Sequence, residues 1–283
     1  MIRVPAPAKL NLFLHITGRR ENGYHELQTI FQLIDLCDWL EFEQTEHSSE
    51  NSDTQDDIHI DGLNNVELQQ NLIYKAVDIL KPFAKAQTGL NTRLEQNIPM
   101  GAGLGGGSSD AATTLIVVNQ LWQCGLSIEQ LADLGLQLGA DVPVFVYGRN
   151  AWAEGIGEHL SFIDLDQKQY IILKPDCFIS TQQLFSQKTL TRNTKPTKFC
   201  AYQLKPSIFG NNFEPVARSL YLEVDAAMQY LDQFGTAKLT GTGACVFVEV
   251  TSDMNVDHVL NHSPCKSYLV NSLNQSPLHD FKL

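Results

Sequence analysis

The chain has 283 residues, 43% hydrophobic and 18% charged, which is apolar material for one large globular domain or two ordinary ones. Its net charge of −12, from 32 acidic and 20 basic residues, lacks the basic footprint of a nucleic-acid binder. No run approaches the roughly 18 apolar residues of a membrane span, and Pro5, Pro7 and Lys9 interrupt the place a signal peptide would occupy, so no membrane contact and a cytoplasmic location are expected.

Residues 2–16 read as a strand. In AKLNLFLHI, Leu10, Leu12 and Leu14 alternate onto one face while Lys9, Asn11, Phe13 and His15 take the other. Gly18–Glu26 is a turn-rich connection, and residues 27–43 resume strand-like runs. Residues 43–57 carry six acids and no Lys or Arg, the composition of a solvated loop. A helix is predicted over 71–85 and a strand over 90–95. A helix follows from about Ser109 to Gln123, with Ala111, Leu115, Val118 and Trp122 on one face. Another runs from about Ser127 to Leu138, where Ser127 and Gln130 have the form of a capping box. VPVFVY then reads as a strand. Tyr170–Leu173 opens a second region, in which a long helix near Pro215–Gln233 leads to AKLTGTGACVFVEV. Strands and helices mix without a βαβ rhythm, so the fold class is α+β, divided into 1–160 and 161–283. The cysteines, Cys37, Cys124, Cys177, Cys200, Cys245 and Cys265, form no CxxC, and their mostly apolar contexts predict buried, reduced thiols over a disulfide framework or a zinc site.

Between the strand and the helix at 109 lies PMGAGLGGGSSDAA, from Pro99 to Ala112, with five glycines in seven residues. Glycine is costly to order, so the run implies a backbone conformation or a close approach that other residues forbid. Gly101 to Gly106 formally matches G-x-G-x-x-G, but Pro99 breaks the strand-turn-helix that a dinucleotide fingerprint needs. A Walker A loop needs a lysine where Gly107 stands. A purely structural turn explains the glycines less well than an anion nest does. Successive N–H groups, the positive end of the following helix and the hydroxyls of Ser108 and Ser109 can hold a polyphosphate despite the acidic net charge.

The pattern P-x-x-x-G-L-G-G-G-S-S followed by alanines resembles the phosphate loop of the GHMP kinases, a superfamily that includes galactokinase, homoserine kinase and mevalonate kinase. PAKLNLFL (Pro7–Leu14) is similar to its N-terminal motif and LTGTGACVFV (Leu239–Val248) to its C-terminal glycine motif, in the expected order across nearly the whole chain. Within the superfamily, PAKLNLFLHITGRRENGYHELQTIFQ, the glycine loop, LGADVPVF and LTGTGACVF together resemble the branch whose acceptor is a cytidine diphosphate-linked methylerythritol. The resemblance implies a two-domain GHMP kinase fold, its N-terminal domain like the second domain of ribosomal protein S5 and its C-terminal domain an α/β sandwich. It implies ATP as co-substrate, with Mg2+, and transfer to the tertiary 2-hydroxyl of the methylerythritol unit in the non-mevalonate isoprenoid pathway. The acidic balance argues against a nucleic-acid partner, and a monomer or weak homodimer is expected.

Residue roles follow from the same resemblance. Asp141 would be the general base, although an Asp at such a junction is ordinarily a cap or turn residue. Lys9, otherwise a solvated strand lysine, would stand beside the acceptor hydroxyl and Asp141 and offset charge on the transferred group, with Asn11 orienting the acceptor. Tyr24 would stack on the cytosine, His25 would bond its polar edge, and Phe185 would form the opposite wall. Phe31 either lines that pocket or belongs to the core. ATP would lie on Pro99, Met100, Gly101, Ala102, Gly103, Leu104, Gly105, Gly106, Gly107, Ser108 and Ser109. Gly241 and Gly243 would let the chain approach the loop or the substrate, or form a tight turn. Magnesium ligation falls to Ser108, Ser109 or Asp110, the last being equally an ordinary first-turn acid.

Overall fold

A computed structural model describes residues 1–21, 23–45, 58–62, 67–85 and 89–280. Two long strands open the chain, β1 (Ile2–Arg19) and β2 (His25–Thr45), paired antiparallel from Ile2 opposite Phe42 to Arg19 opposite His25. The pairing shifts register three times, and the shift between Asn11 and Leu14 bears most on function. An extra residue in a strand turns the following side chains to the other face. Leu14 therefore lines the same cavity as Lys9 and Asn11, while Phe13 joins Leu10 and Leu12 in the core. The strict alternation expected along this strand is thus corrected beyond Asn11.

The chain continues through β3 (Ile58–Asp61), α1 (Leu72–Leu80), β4 (Gly89–Glu95), α2 (Gly106–Leu121), α3 (Ile128–Leu138), α4 (Val142–Tyr147), β5 (Ala151–Gly155) and β6 (His159–Phe162). There follow β7 (Gln169–Lys174), α5 (Thr181–Ser186), α6 (Phe199–Leu204), α7 (Glu214–Leu220), α8 (Leu222–Leu231), β8 (Lys238–Leu239), β9 (Val246–Glu249), α9 (Val256–Asn261) and β10 (Lys266–Leu273). β2 is the spine of the sheet. One edge holds β1, and the other meets β5, β10 and β4 in succession along its length. β10 carries the sheet on through β7, β9 and β8, so hydrogen bonding is continuous from the first strand to the last. The mixture of helix with a largely antiparallel sheet is the expected α+β class.

One core lies between the first strands and α1 to α4, around Leu33, Leu40, Val77, Leu115 and Val144. A second lies under α7, α8 and α9, around Ile171, Phe213, Met228 and Val246. The capping box at Ser127 forms with both of its bonds. VPVFVY is a helix, not the expected strand. Five of its six residues are buried, so the segment has no polar face to mark its period, and Pro143 presets the first turn. The long helix expected near Pro215–Gln233 is two, broken at Tyr221, whose backbone is extended. Of the acidic 43–57 segment, Glu43 to Thr45 belong to β2 and the rest lies outside the described residues. All six cysteines are free, but only Cys124 and Cys245 are buried and Cys200 is exposed, which corrects the expectation of buried thiols. No helix among the described residues is long and apolar enough to cross a membrane.

Candidate active site

The loop between β4 and α2 holds Gly101, Gly103 and Gly105 in the left-handed region, at φ of +61°, +75° and +77°. Ala102 and Leu104 alternate with them and are buried, so every second residue anchors the loop while the glycines carry its exposed backbone. At Gly103 a Cβ would sit 2.1 Å from the Thr240 carbonyl oxygen, a distance no side chain can occupy. α2 starts at Gly106, earlier than expected, which puts Ser108 and Ser109 inside its first turn. No side chain caps that end, so first-turn N–H groups and the positive end of the helix dipole remain available to an anion. They border a cavity of about 670 Å³ lined by Pro99, Met100, Gly107 and Ser108.

Lys9 comes to the other side of this loop from β1 and is only 3% exposed. A buried ammonium is expensive unless its donors are used. Lys9 Nζ donates to the Gly103 carbonyl at 3.2 Å and to Asn11 Oδ1, and it lies 3.3 Å from Asp141 Oδ2. Asn11 Nδ2 in turn donates to Thr29 Oγ1 at 2.9 Å, which fixes the amide. Asp141 immediately precedes α4, yet its carboxylate caps nothing. Pro143 removes one of the N–H groups a cap would use, and the carboxylate, one-third exposed, turns to Lys9 instead.

A second cavity, of about 890 Å³, is lined by Lys9, Asn11, Asp141, Tyr24, His25 and Phe185. It shares Gly103, Gly105, Thr181, Gln182 and Thr242 with the first, so the two meet at the glycine loop beside Lys9. Two ligands in these cavities would touch there. Tyr24 is 59% exposed at this cavity. His25 stacks on Phe185, with ring centroids 4.6 Å apart and planes inclined by 24°. Phe185 also meets Phe213 edge-on. His25 Nε2 is buried without a partner, a polar atom waiting for one. Burial pushes the His25 imidazole below its ordinary pKa, and the charges of Arg192 and Arg19 add to that, so the ring is neutral near pH 7. Phe31 is buried in the core and also lines this cavity, its ring centroid 5.4 Å from Lys9 Nζ.

Gly241 packs against the glycine loop, where a Cβ would meet the Gly103 backbone at 3.1 Å, and Gly243 lines the loop cavity. Sequence reasoning missed Thr29, which sits inside a quoted motif, and Thr242, which lies between the two named glycines and bonds Thr181 at 2.9 Å. It also missed Phe178, whose ring lies against Gly101 at the loop cavity and which no motif marks.

Among the described residues there is no cluster of three or more His, Cys, Asp or Glu to cage a metal. Magnesium does not require one, since it commonly keeps its waters and binds through one or two side chains plus phosphate oxygens. Ser109 is fully buried, its hydroxyl unpartnered, and does not line the loop cavity. Asp110 is also buried, and burial together with the neighbouring Asp38 raises its carboxyl well above the usual range. Ser108, half-buried, and Asp110, whose Oδ1 is buried without a partner, both line the loop cavity and are the side chains there that could meet a hard cation.

Comparison with known proteins matches the GHMP kinases N terminal domain over residues 71–149 and the GHMP kinases C terminal domain over residues 200–266. The chain is 73% identical to the 4-diphosphocytidyl-2-C-methyl-D-erythritol kinase of Acinetobacter baumannii, covering 100% of this chain and 99% of that one. It is 68% identical to the enzyme of the same name from Acinetobacter baylyi, covering 99% of each. Among solved structures, a 4-(cytidine 5'-diphospho)-2C-methyl-D-erythritol kinase superposes with a TM-score of 0.79 at 27% identity, covering 96% of this chain and 99% of that one.

Proposed function

Because the chain belongs to the GHMP kinases, and among them to the 4-diphosphocytidyl-2-C-methyl-D-erythritol kinases, we propose that it phosphorylates the 2-hydroxyl of 4-(cytidine 5'-diphospho)-2-C-methyl-D-erythritol with ATP, giving the 2-phosphate and ADP. The observation that carries this reading is the placement of Lys9. Its ammonium links the carbonyl of Gly103 in the phosphate loop to Asn11 and Asp141, where the two cavities meet.

In this reading the glycine loop and the first turn of α2 hold the triphosphate through backbone N–H groups. Asp141 accepts the proton of the 2-hydroxyl as that oxygen attacks the γ-phosphorus. The bond from phosphorus to the β,γ-bridging oxygen breaks, and ADP leaves with the electron pair. Lys9 meets the negative charge spreading over the transferred group without solvent reorganisation, since its ammonium is already fixed. Asn11 orients the acceptor. When bound, Mg2+ would supply further neutralisation of phosphate charge, held by Ser108 or Asp110 at the loop cavity. The cytosine binds among Tyr24, His25 and Phe185: His25 Nε2 gains its missing partner, and Phe185 leaves His25 to face the base opposite Tyr24.

The test is ADP release from ATP and magnesium with the cytidylated acceptor, and with the same sugar phosphate lacking the cytidylyl group. Turnover is expected with the first alone, and Asp141→Asn abolishes most of it. Equal turnover on both acceptors, or a fully active Asp141→Asn protein, overturns the assignment.

A further inference from the structure

We infer that Thr240 is a positioning residue, whose hydroxyl fixes the distance between the lysine-bearing strand and the phosphate loop; the inference rests on the reading of Lys9 and the loop given above. Thr240 is completely buried. Its Oγ1 accepts from the backbone N–H of Asn11 at 3.0 Å and donates to the Gly103 carbonyl at 3.1 Å. That carbonyl is the one to which Lys9 Nζ also donates. The two lone pairs of Gly103 O are therefore shared between Lys9 and Thr240. The N–H of Asn11 points off the edge of β1, and the threonine oxygen does for it what a neighbouring strand would do.

Thr240 can act as a fixed point because its own backbone is held. Its N–H donates to Cys245 O at 3.1 Å, and its carbonyl accepts from Gly243 N at 2.9 Å. The Asn211 amide grips the flanking carbonyls of Leu239 and Gly241 at 2.9 and 2.7 Å. Lys238 Nζ donates to Leu12 O at 3.1 Å, so β8 and the residue after it take hold of two adjacent positions of β1. Cys245 N, at the end of the same turn, donates to Ala102 O of the loop at 3.1 Å. Three segments far apart in sequence thus meet at one hydroxyl. Without it, Gly103 keeps a single donor and Asn11 N is orphaned, and the loop can slide relative to Lys9.

The experiment compares Thr240→Val with Thr240→Ser, reading kcat, both KM values and thermal unfolding. The valine protein is expected to lose about 10- to 100-fold in kcat and to bind ATP more weakly, with KM for the cytidylated acceptor little changed, because small misplacements of reacting groups cost on that scale. Thr240→Ser keeps the hydroxyl and restores kcat to within about three-fold of the parent. The second arm repeats Thr240→Val in Asn11→Ala. A residue that acts through the Lys9–Asn11 pair costs much less there, whereas a merely structural one costs the same in both backgrounds. An unchanged kcat in folded Thr240→Val, an equal loss in Thr240→Ser, or full additivity with Asn11→Ala overturns the inference. If the valine protein does not fold, Thr240→Cys, similar in shape with a weak donor, takes its place on the same criteria. The parent enzyme runs alongside. Its failure to turn over the cytidylated acceptor counts against the substrate assignment, and ATP affinity by calorimetry then still reads Thr240.

Discussion

The two ends of the acceptor cavity are built differently. At the glycine loop the side chains of the corner already engage one another: Lys9 with Gly103, Asn11 and Asp141, and Asn11 with Thr29. At the aromatic end Tyr24 is exposed, His25 has an unused ring nitrogen, and Phe185 rests on the imidazole where a base would go. In the proposed reading the chemical corner is preorganised, whereas the aromatic end must rearrange to receive a base. Preorganised groups act mainly on the barrier, and groups that move on binding act mainly on affinity. The comparison teaches that substitutions at one end should change kcat and at the other KM.

The largest effect belongs to the corner. Asp141→Asn keeps the size of the side chain and removes the proposed base, so kcat should fall about 10²–10⁴-fold with both KM values nearly unchanged, measured by ADP release. A variant with normal kcat and a raised acceptor KM would move Asp141 to the binding side and break the comparison.

Gly103→Ala tests whether the corner is rigid. The added methyl group would sit 2.1 Å from Thr240 O at a φ of +75°, so the backbone of the loop must move. The φ alone costs about 1–3 kcal/mol. A lower Tm and a weakened ATP KM are expected together. Gly107→Ala is the contrast, since its φ is not in the left-handed region and the nearest atom is Leu72 Cδ1 at 3.6 Å. There the helix gains about 0.5–1 kcal/mol from alanine, so Tm should hold or rise. Similar losses in both proteins would mean that the loop tolerates displacement.

At the aromatic end, Phe185→Ala should raise KM for the cytidylated acceptor by about 10-fold or more, since stacking on one base is worth roughly 1–3 kcal/mol. KM for ATP and kcat should stay close to the parent values. A fall confined to kcat would show that the aromatic end also shapes the reacting geometry.

Part of the corner could be read from the chain because it is local, whereas Asp141 and its place beside Lys9 came only from the family resemblance. Lys9 and Asn11 lie two apart on a strand, and a period of two places them together. The glycine spacing forecast a backbone that other residues cannot adopt, and the loop has it at Gly101, Gly103 and Gly105. Tertiary contacts were not legible. Nothing in the pattern of β1 marks the register shift that turns Leu14 to the cavity. Val142 to Tyr147 carries no polar face, so neither period could be recognised and helix was mistaken for strand. The bonds of Thr29 and Thr240 join residues brought together only by folding. The stacking of His25 on Phe185 depends on how α5 packs, which Arg192 helps fix by donating to the carbonyls of Phe185 and Gln187.

The smallest predicted effect sharpens the contrast by pH. Burial first, and then Arg192 and Arg19, lower the His25 pKa below 6.5, so the folded protein holds the ring neutral where an unfolded chain begins to charge it. The sign follows from that direction. A proton bound more readily by the unfolded chain withdraws stability as pH falls from about 6.5 toward the folded pKa. The same protonation puts a third positive charge between Arg192 and Arg19 and removes the neutral nitrogen that would meet the base. KM for the cytidylated acceptor should therefore rise as pH falls through the lowered pKa of the folded protein, while KM for ATP, held by backbone N–H groups in the proposed reading, changes less. Arg19→Gln removes one of the two charges and should move the rise to slightly higher pH. His25→Gln, which does not titrate, should flatten it. A rise that persists unchanged in His25→Gln would assign the acid limb to another group and leave the aromatic end without a titrating member.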